Sequence, residues 1–221
     1  MPVSGHSLRS CAWLMLVAMT SVACAGGAQE NMATMAPERL RPEQYVDAAK
    51  AYERACSDGS AQACSYLGFM YDNAFGVGRN IPRAVELAEQ GCNHGGAYGC
   101  SYLGFLFQIG RGVRPNVIKA ARLFQKACDG NDGSGCLLLG IMYKTGAGVD
   151  SDSAYAADLF SRACQHGESV ACVSLGYMYA NGEGVVRDEE RAKELFRVAC
   201  KRADPIGCEA SSQLARSEPV P

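Results

Sequence analysis

Apolar residues recur along this chain with the spacing of an α-helix, and the whole pattern returns every 36 residues. In each copy, one stripe occupies positions 0, +3, +4 and +7 relative to a cysteine. In the first copy these residues are Cys64, Leu67, Gly68 and Tyr71. This spacing places the four on one face of a helix. After the cysteine the four copies read SYLGFMY, SYLGFLF, LLLGIMY and VSLGYMY.

A second helix is predicted in every copy, after a Gly-containing segment that ends the first. The segments read FGVGRN, GRGVRPN, GAGVDSD and GEGVVRD. The last residue of each is Asn or Asp, which caps helix N-termini. Alanine and leucine then recur at helical spacing until the next cysteine. The N-cap residues are Asn80, Asn116, Asp152 and Asp188.

Two sets of glycines have separate physical roles. Gly68 and its equivalents lie within a first helix, where glycine costs about 1 kcal/mol relative to alanine. We therefore predict close approach of a neighbouring helix at that point. The glycines after the first helix are predicted to supply positive φ. Ala74 stands where the later copies have glycine, which leaves open a different first loop.

These patterns predict an all-α protein, an α/α solenoid of antiparallel helix pairs that share one continuous core. Flanking segments complete the chain. The predicted division is a signal peptide at 1–23, a flexible tether at 24–42, an N-terminal capping helix at 43–59, repeats at 60–95, 96–131, 132–167 and 168–203, and a C-terminal cap and tail at 204–221.

The N-terminus has the three parts of an export signal. Arg9 precedes an apolar run of about a dozen residues that is closed by small residues. Cleavage before Cys24 would make a lipoprotein, whereas the small residues Ala23 and Ala25 fit soluble secretion. We favour the lipoprotein, with Cys24 lipidated, over soluble secretion and over an uncleaved buried helix. Either cleavage predicts a location in the bacterial periplasm, at the outer membrane, or outside the cell.

Composition limits the classes of partner. The chain has 221 residues and a formal net charge of −2, so no broad electrostatic surface for nucleic acid is expected. Its 12 cysteines indicate disulfides in an oxidising compartment. We expect a monomer that contacts a membrane only through a lipid on Cys24.

The combined pattern, A-C-x-x-L-G-x-M-Y with G-x-G-V and D-x-x-x-A-x-x-L-F, resembles the Sel1-like repeat over about residues 51–208. The cysteine pair is similar to that of the cysteine-rich branch typified by the Helicobacter cysteine-rich proteins. The resemblance implies a right-handed superhelix whose first helices line the concave side. It also implies binding of penicillin-like compounds and weak β-lactamase activity.

Ten cysteines follow the 36-residue period as five C-x7-C pairs. Each pair spans the turn between a second helix and the next first helix, within normal disulfide geometry. A rival scheme that begins with Cys64–Cys92 would leave Cys56 and Cys208 unpaired. The favoured pairs are Cys56–Cys64, Cys92–Cys100, Cys128–Cys136, Cys164–Cys172 and Cys200–Cys208.

Catalytic and metal chemistry find little support in the sequence. Seven residues between cysteines do not suit zinc, and the short C-x-x-C of redox enzymes is absent. His94 and His166 occupy equivalent positions, where we interpret them as complements to helix C-termini rather than as a site. No β-lactamase, metalloprotease or nucleotide-binding motif is present. We therefore predict no catalytic residue, no metal and no cofactor, and favour a binding protein over an enzyme.

A candidate binding surface lies opposite the cysteine stripe, at positions +2 and +5 of the first helices. Apolar residues there either pack between repeats or line a groove for a protein or an extended peptide. The prediction is an exported scaffold with such a concave groove; the alternative is a β-lactam-binding protein with weak β-lactamase activity. The predicted partner-binding residues are Tyr66, Phe69, Tyr102, Phe105, Leu138, Ile141 and Tyr177.

Overall fold

The computed structural model describes residues 35–216, which form ten α-helices preceded by the 3-10 helices Pro37–Arg39 and Pro42–Gln44. The predicted signal peptide and Cys24 lie outside the described residues. The helices are α1 Tyr45–Ser57, α2 Ala61–Asn73, α3 Ile81–Asn93, α4 Ala97–Ile109, α5 Val117–Asp129, α6 Gly133–Thr145, α7 Ser153–Gln165, α8 Ser169–Asn181, α9 Glu189–Lys201 and α10 Pro205–Arg216.

The helices stack in chain order, each against the next, and the predicted α/α solenoid is confirmed. First helices also touch along the array in the pairs α2–α4, α4–α6 and α8–α10, whereas α6 and α8 approach each other less closely. No contact of comparable extent joins two second helices between residues 35 and 216. A row whose members approach each other more closely lies on the inside of a bend. The first helices therefore form the inner side of the solenoid.

The N-caps of the second helices and the left-handed residues that end the first helices lie where the sequence predicts them. The side chain of Asn116 accepts a hydrogen bond from the backbone amide of Lys119 at 2.8 Å, and the other three predicted N-caps do the same. Gly110 ends α4 in the left-handed conformation. Ala74 does so as well, at φ 59° and ψ 36°. The first loop thus keeps the backbone conformation of the others at this position, although alanine is strained there.

The glycine within each first helix allows the second helix of the same repeat to approach. A Cβ added to Gly68 would lie 2.9 Å from the backbone oxygen of Ala84. In the later repeats a phenylalanine ring covers the glycine, and a Cβ on Gly176 would lie 2.6 Å from the ring of Phe196. The predicted close approach is confirmed.

Five disulfides join the repeats in the favoured pairing. Each links the last turn of a second helix to the first turn of the next first helix, with Cα atoms 4.4–4.8 Å apart. The rival bond between Cys64 and Cys92 is not formed. Five disulfides in a chain of this size indicate an oxidising compartment.

The N-terminal segment packs against the solenoid. Pro37 and Leu40 are buried, and Leu40 shares a core cluster with Tyr52 of α1. The phenol of Tyr52 donates a hydrogen bond to the backbone oxygen of Met35. The flexible tether predicted for 24–42 is therefore wrong at its C-terminal end. Packing removes the apolar surface of Leu40 from water, which stabilises the packed segment relative to a solvated tether.

Basic side chains also link one repeat to the next, a feature that the sequence predictions did not include. Lys126 of α5 donates to the backbone oxygen of Cys92 at 2.9 Å, and Arg162 of α7 donates to that of Cys128 at 2.8 Å. Both acceptors lie at helix C-termini, where the macrodipole favours a cation. The two residues stand one period apart, so the repeat itself held the signal.

We expect Arg162→Met to lower the free energy of unfolding by about 1–2 kcal/mol, because a carbonyl loses a charged donor. Equilibrium urea denaturation followed by circular dichroism would measure the change. Arg197→Met, at an exposed position of α9, is the matched control and should change stability by less than about 0.5 kcal/mol. Equal losses in the two variants would contradict the role assigned to Arg162.

Candidate functional site

Three predicted binding residues are exposed in a row on the first helices. Phe105 of α4, Ile141 of α6 and Tyr177 of α8 all occupy position +5 and have 39–43% of their surface exposed. The same side includes positions −2 and +2, and we call these three positions on α4, α6 and α8 the inner face. Its other members are Tyr98, Tyr102, Ser134, Leu138, Val170 and Ser174.

Two other predicted residues serve mainly in packing. Only 7% of the surface of each side chain, Tyr66 and Tyr102, is exposed to solvent. The ring of Tyr66 packs against Tyr52 and Tyr98, with centroids 5.5 and 5.2 Å away. The prediction of an open groove at both tyrosines is therefore wrong, because neighbouring rings cover them. Phe69 is half-buried, 5.8 Å from the ring of Tyr102.

Tyr102 belongs to a buried polar network that links the first two repeats. Its phenol donates to Oδ2 of Asp72 at 2.9 Å, and Nε of Arg111 lies 2.6 Å from Oδ1. Burial, together with the hydrogen bond to Asp72, raises the pKa of Tyr102 above its ordinary value. The phenol therefore keeps its proton and acts as a donor. Asp72 is the one charged residue of α2, which is the signal that the sequence offered.

An equivalent ion pair of reversed sign links the third and fourth repeats. Lys144 at the end of α6 lies 3.0 Å from Glu183 in the loop after α8. The two residues are as far apart in sequence as Asp72 and Arg111. In each pair, the charged residue of a first helix (Asp72 in α2, Lys144 in α6) meets an oppositely charged residue in the loop of the following repeat. The charges of Asp72 and Lys144 are therefore neutralised.

A depression of about 140 Å³ interrupts the inner face between α4 and α6. Two serine hydroxyl groups lie in its wall, and both donate their protons within the protein. Ser101 donates to the backbone oxygen of Tyr98 at 3.0 Å, and Ser134 donates to Glu168 at 2.7 Å. The depression therefore presents mainly apolar surface. It is lined by Tyr98, Ser101, Tyr102, Phe105, Ser134 and Leu138.

The two matched histidines lie outside the inner face. His94 and His166 are exposed C-cap residues of α3 and α7. In the described part of the chain, no three His, Cys, Asp or Glu side chains gather where they could hold a metal ion. Within residues 35–216, every helix is too short or too polar to span a membrane.

Fold and inner face together define a disulfide-linked α/α repeat protein. The Sel1 repeat model matches residues 61–96, 97–132, 133–168 and 169–204. The chain belongs to the Sel1 repeat family, as the sequence pattern predicts. A comparison with functionally curated proteins gives no match.

Two solved structures with TM-scores of 0.70 and 0.71 show the same fold. A Sel1 repeat protein from Oxalobacter formigenes is 24% identical with a TM-score of 0.71, and 87% of this chain covers 74% of it. A protective antigen of uropathogenic Escherichia coli is 23% identical with a TM-score of 0.70; 87% of this chain covers only 42% of its length. Helicobacter pylori cysteine-rich protein B is 30% identical over 59% of this chain and 94% of its own, with a TM-score of 0.49.

Proposed function

We propose that this protein is an exported scaffold whose inner face binds a protein or an extended peptide. The observation that carries the proposal is the row of Phe105, Ile141 and Tyr177. Exposed apolar patches commonly mark interaction surfaces, and these three side chains are aligned over three successive repeats. Solenoids commonly bind partners along the side on which their repeats approach most closely.

Export is part of the proposal. The five disulfides favour an oxidising compartment, and the leader at 1–23 supplies the route. Lipidation of Cys24 would hold the solenoid at a membrane surface. No observation in residues 35–216 favours the β-lactam chemistry that the family resemblance implies.

Site-specific photo-cross-linking tests the proposed face. Benzoylphenylalanine placed at Phe105 should form adducts with a partner in the intact envelope. The same probe at Ile118, which is 55% exposed on the second helix α5, is the control and should form none. The adduct at position 105 should weaken about tenfold with Tyr177→Ser, because the anchors of one interface act together. Equal adducts at both positions, or insensitivity to Tyr177→Ser, would contradict the proposal.

A further inference from the structure

Two carboxylates flank the depression between α4 and α6. Glu38 of the 3-10 helix Pro37–Arg39 accepts a hydrogen bond from the phenol of Tyr98 at 3.1 Å. Glu168 accepts one from the hydroxyl of Ser134 at 2.7 Å. Tyr98 on α4 and Ser134 on α6 both line the depression. A negative charge therefore lies beside each of the two helices that border it.

Glu168 is directed toward the depression rather than toward its own helix. It is the N-cap residue of α8, but its side chain accepts no hydrogen bond from that helix. The equivalent residues Asp132 and Asp204 each accept from a backbone amide of the helix that follows them, as N-cap residues usually do. The longer side chain of Glu168 reaches back to α6 of the preceding repeat instead.

Neither carboxylate forms an ion pair with another side chain between residues 35 and 216. Lys144 is the one charged residue of α4, α6 and α8, and Glu183 already pairs with it. Arg111 is likewise paired with Asp72. Because a carboxylate has about four acceptor positions, a single hydrogen bond leaves each one able to accept from a cation. The negative charge at the depression is therefore available to a partner.

The walls of the depression suit a flat cation. Three of its six lining residues, Tyr98, Tyr102 and Phe105, are aromatic. The rings of Tyr98 and Tyr102 are nearly parallel, with centroids 6.3 Å apart and an interplanar angle of 12°. The planar guanidinium of arginine stacks on aromatic rings and is more weakly hydrated than the ammonium of lysine. A volume of about 140 Å³ limits the occupant to a single side chain.

We propose that the depression binds one arginine side chain of the partner, with its guanidinium against the aromatic rings and paired with the carboxylate of Glu168, while Glu38 adds negative charge beside α4. The inference rests on the proposed function and adds the chemistry of the residue that the partner inserts. Charge complementarity selects a basic occupant, and the aromatic walls select arginine over lysine.

Selection from a phage-displayed library of random eight-residue peptides tests this inference on the oxidised full chain. Enriched peptides should contain about threefold more arginine than the unselected library, because the depression offers a partner for a cation. Binding of a synthetic copy, measured by fluorescence anisotropy, should weaken about tenfold when its arginine is replaced by glutamine. Replacement by lysine should weaken binding by about threefold, because the charge is kept and the planar group is lost.

Glu168→Gln tests the same contact from the side of the protein. Glutamine keeps an oxygen that accepts from Ser134, so the charge is lost while the local hydrogen bond remains. Binding of the arginine peptide should weaken about tenfold, whereas its glutamine version should bind both proteins equally. Glu194→Gln, the same change at an exposed position of α9, is the matched control and should leave binding unchanged. Equal effects of the two replacements would overturn the inference.

The experiment separates the inference from the proposed function. If enriched peptides depend on Phe105 but show no excess of arginine, the inference about the depression is wrong and the binding face survives. If no enriched peptide loses binding with Phe105→Ser or Ile141→Ser, the proposed peptide-binding function is overturned as well.

Discussion

Gly184→Ala is expected to destabilise the protein by about 3 kcal/mol. Gly184 lies in the loop after α8 at φ 69°, where a side chain costs about 1–2 kcal/mol. A Cβ there would also lie 2.3 Å from the backbone carbonyl of Ser153, at the start of α7 in the preceding repeat. Backbone atoms cannot rotate away, and overpacking of this kind costs a further 1–3 kcal/mol or so.

Gly182→Ala is the control for this prediction. Gly182 has a similar φ of 72°, but the nearest atom to its added Cβ is that of Arg187, at 3.4 Å. We expect a loss of about 1–2 kcal/mol from backbone strain alone. The chain itself accepts this conformation at Ala74, the equivalent residue of the first repeat. Urea denaturation would compare the variants, and equal losses would contradict the steric role of Gly184.

Removal of the central disulfide should have the second large effect. Replacing Cys128 and Cys136 together by alanine should lower the free energy of unfolding by about 2–3 kcal/mol, from the entropy of the reopened loop. Both residues are completely buried and join α5 to α6 in the middle of the array. Because each repeat is stabilised mainly by its neighbours, the variant should unfold in two separate transitions.

The C-terminal disulfide gives a matched comparison with the same sequence separation. Alanine at both Cys200 and Cys208 removes the link to α10, which packs only on α9 and α8 among the described helices. This variant should release α10 and leave one main transition. Thermal unfolding monitored by circular dichroism would distinguish the two variants. A single transition of unchanged midpoint for the central variant would contradict the predicted coupling between repeats.

The candidate site was only partly predictable. The exposure of position +5 in repeats 2–4 was predictable from its place opposite the cysteine stripe, although the ring of Tyr177 also lies 5.0 Å from that of Phe196 on α9. The exposure of position +2 was not predictable in this way, since Tyr66 and Tyr102 meet rings from other helices. Their environment depends on whether a neighbour offers an aromatic ring or, as beside Leu138, leaves a depression. The sequence of a single repeat gives no information about that neighbour.

The N-terminal segment shows the same limit. A polar, small-residue stretch is typical of a tether, and nothing local distinguishes Leu40 from a solvated residue. Its burial arises because the first repeat has no preceding first helix to cover Tyr52 and Tyr66, and the segment at 35–40 takes that place. The need for a cap follows from the end of the array rather than from the segment itself.

The sequence alone determined the helix pairs, their N-caps, the turn glycines and the disulfides, because each depends on residues within a few turns of one another. The 36-residue period then required neighbours to stack, since no single pair can bury its apolar stripe. Only the tertiary structure decided which side chains stay exposed on the inner face, where the depression lies, and how Asp72 and Arg111 meet. These features join residues about one period apart, and their geometry depends on how closely successive helices pack.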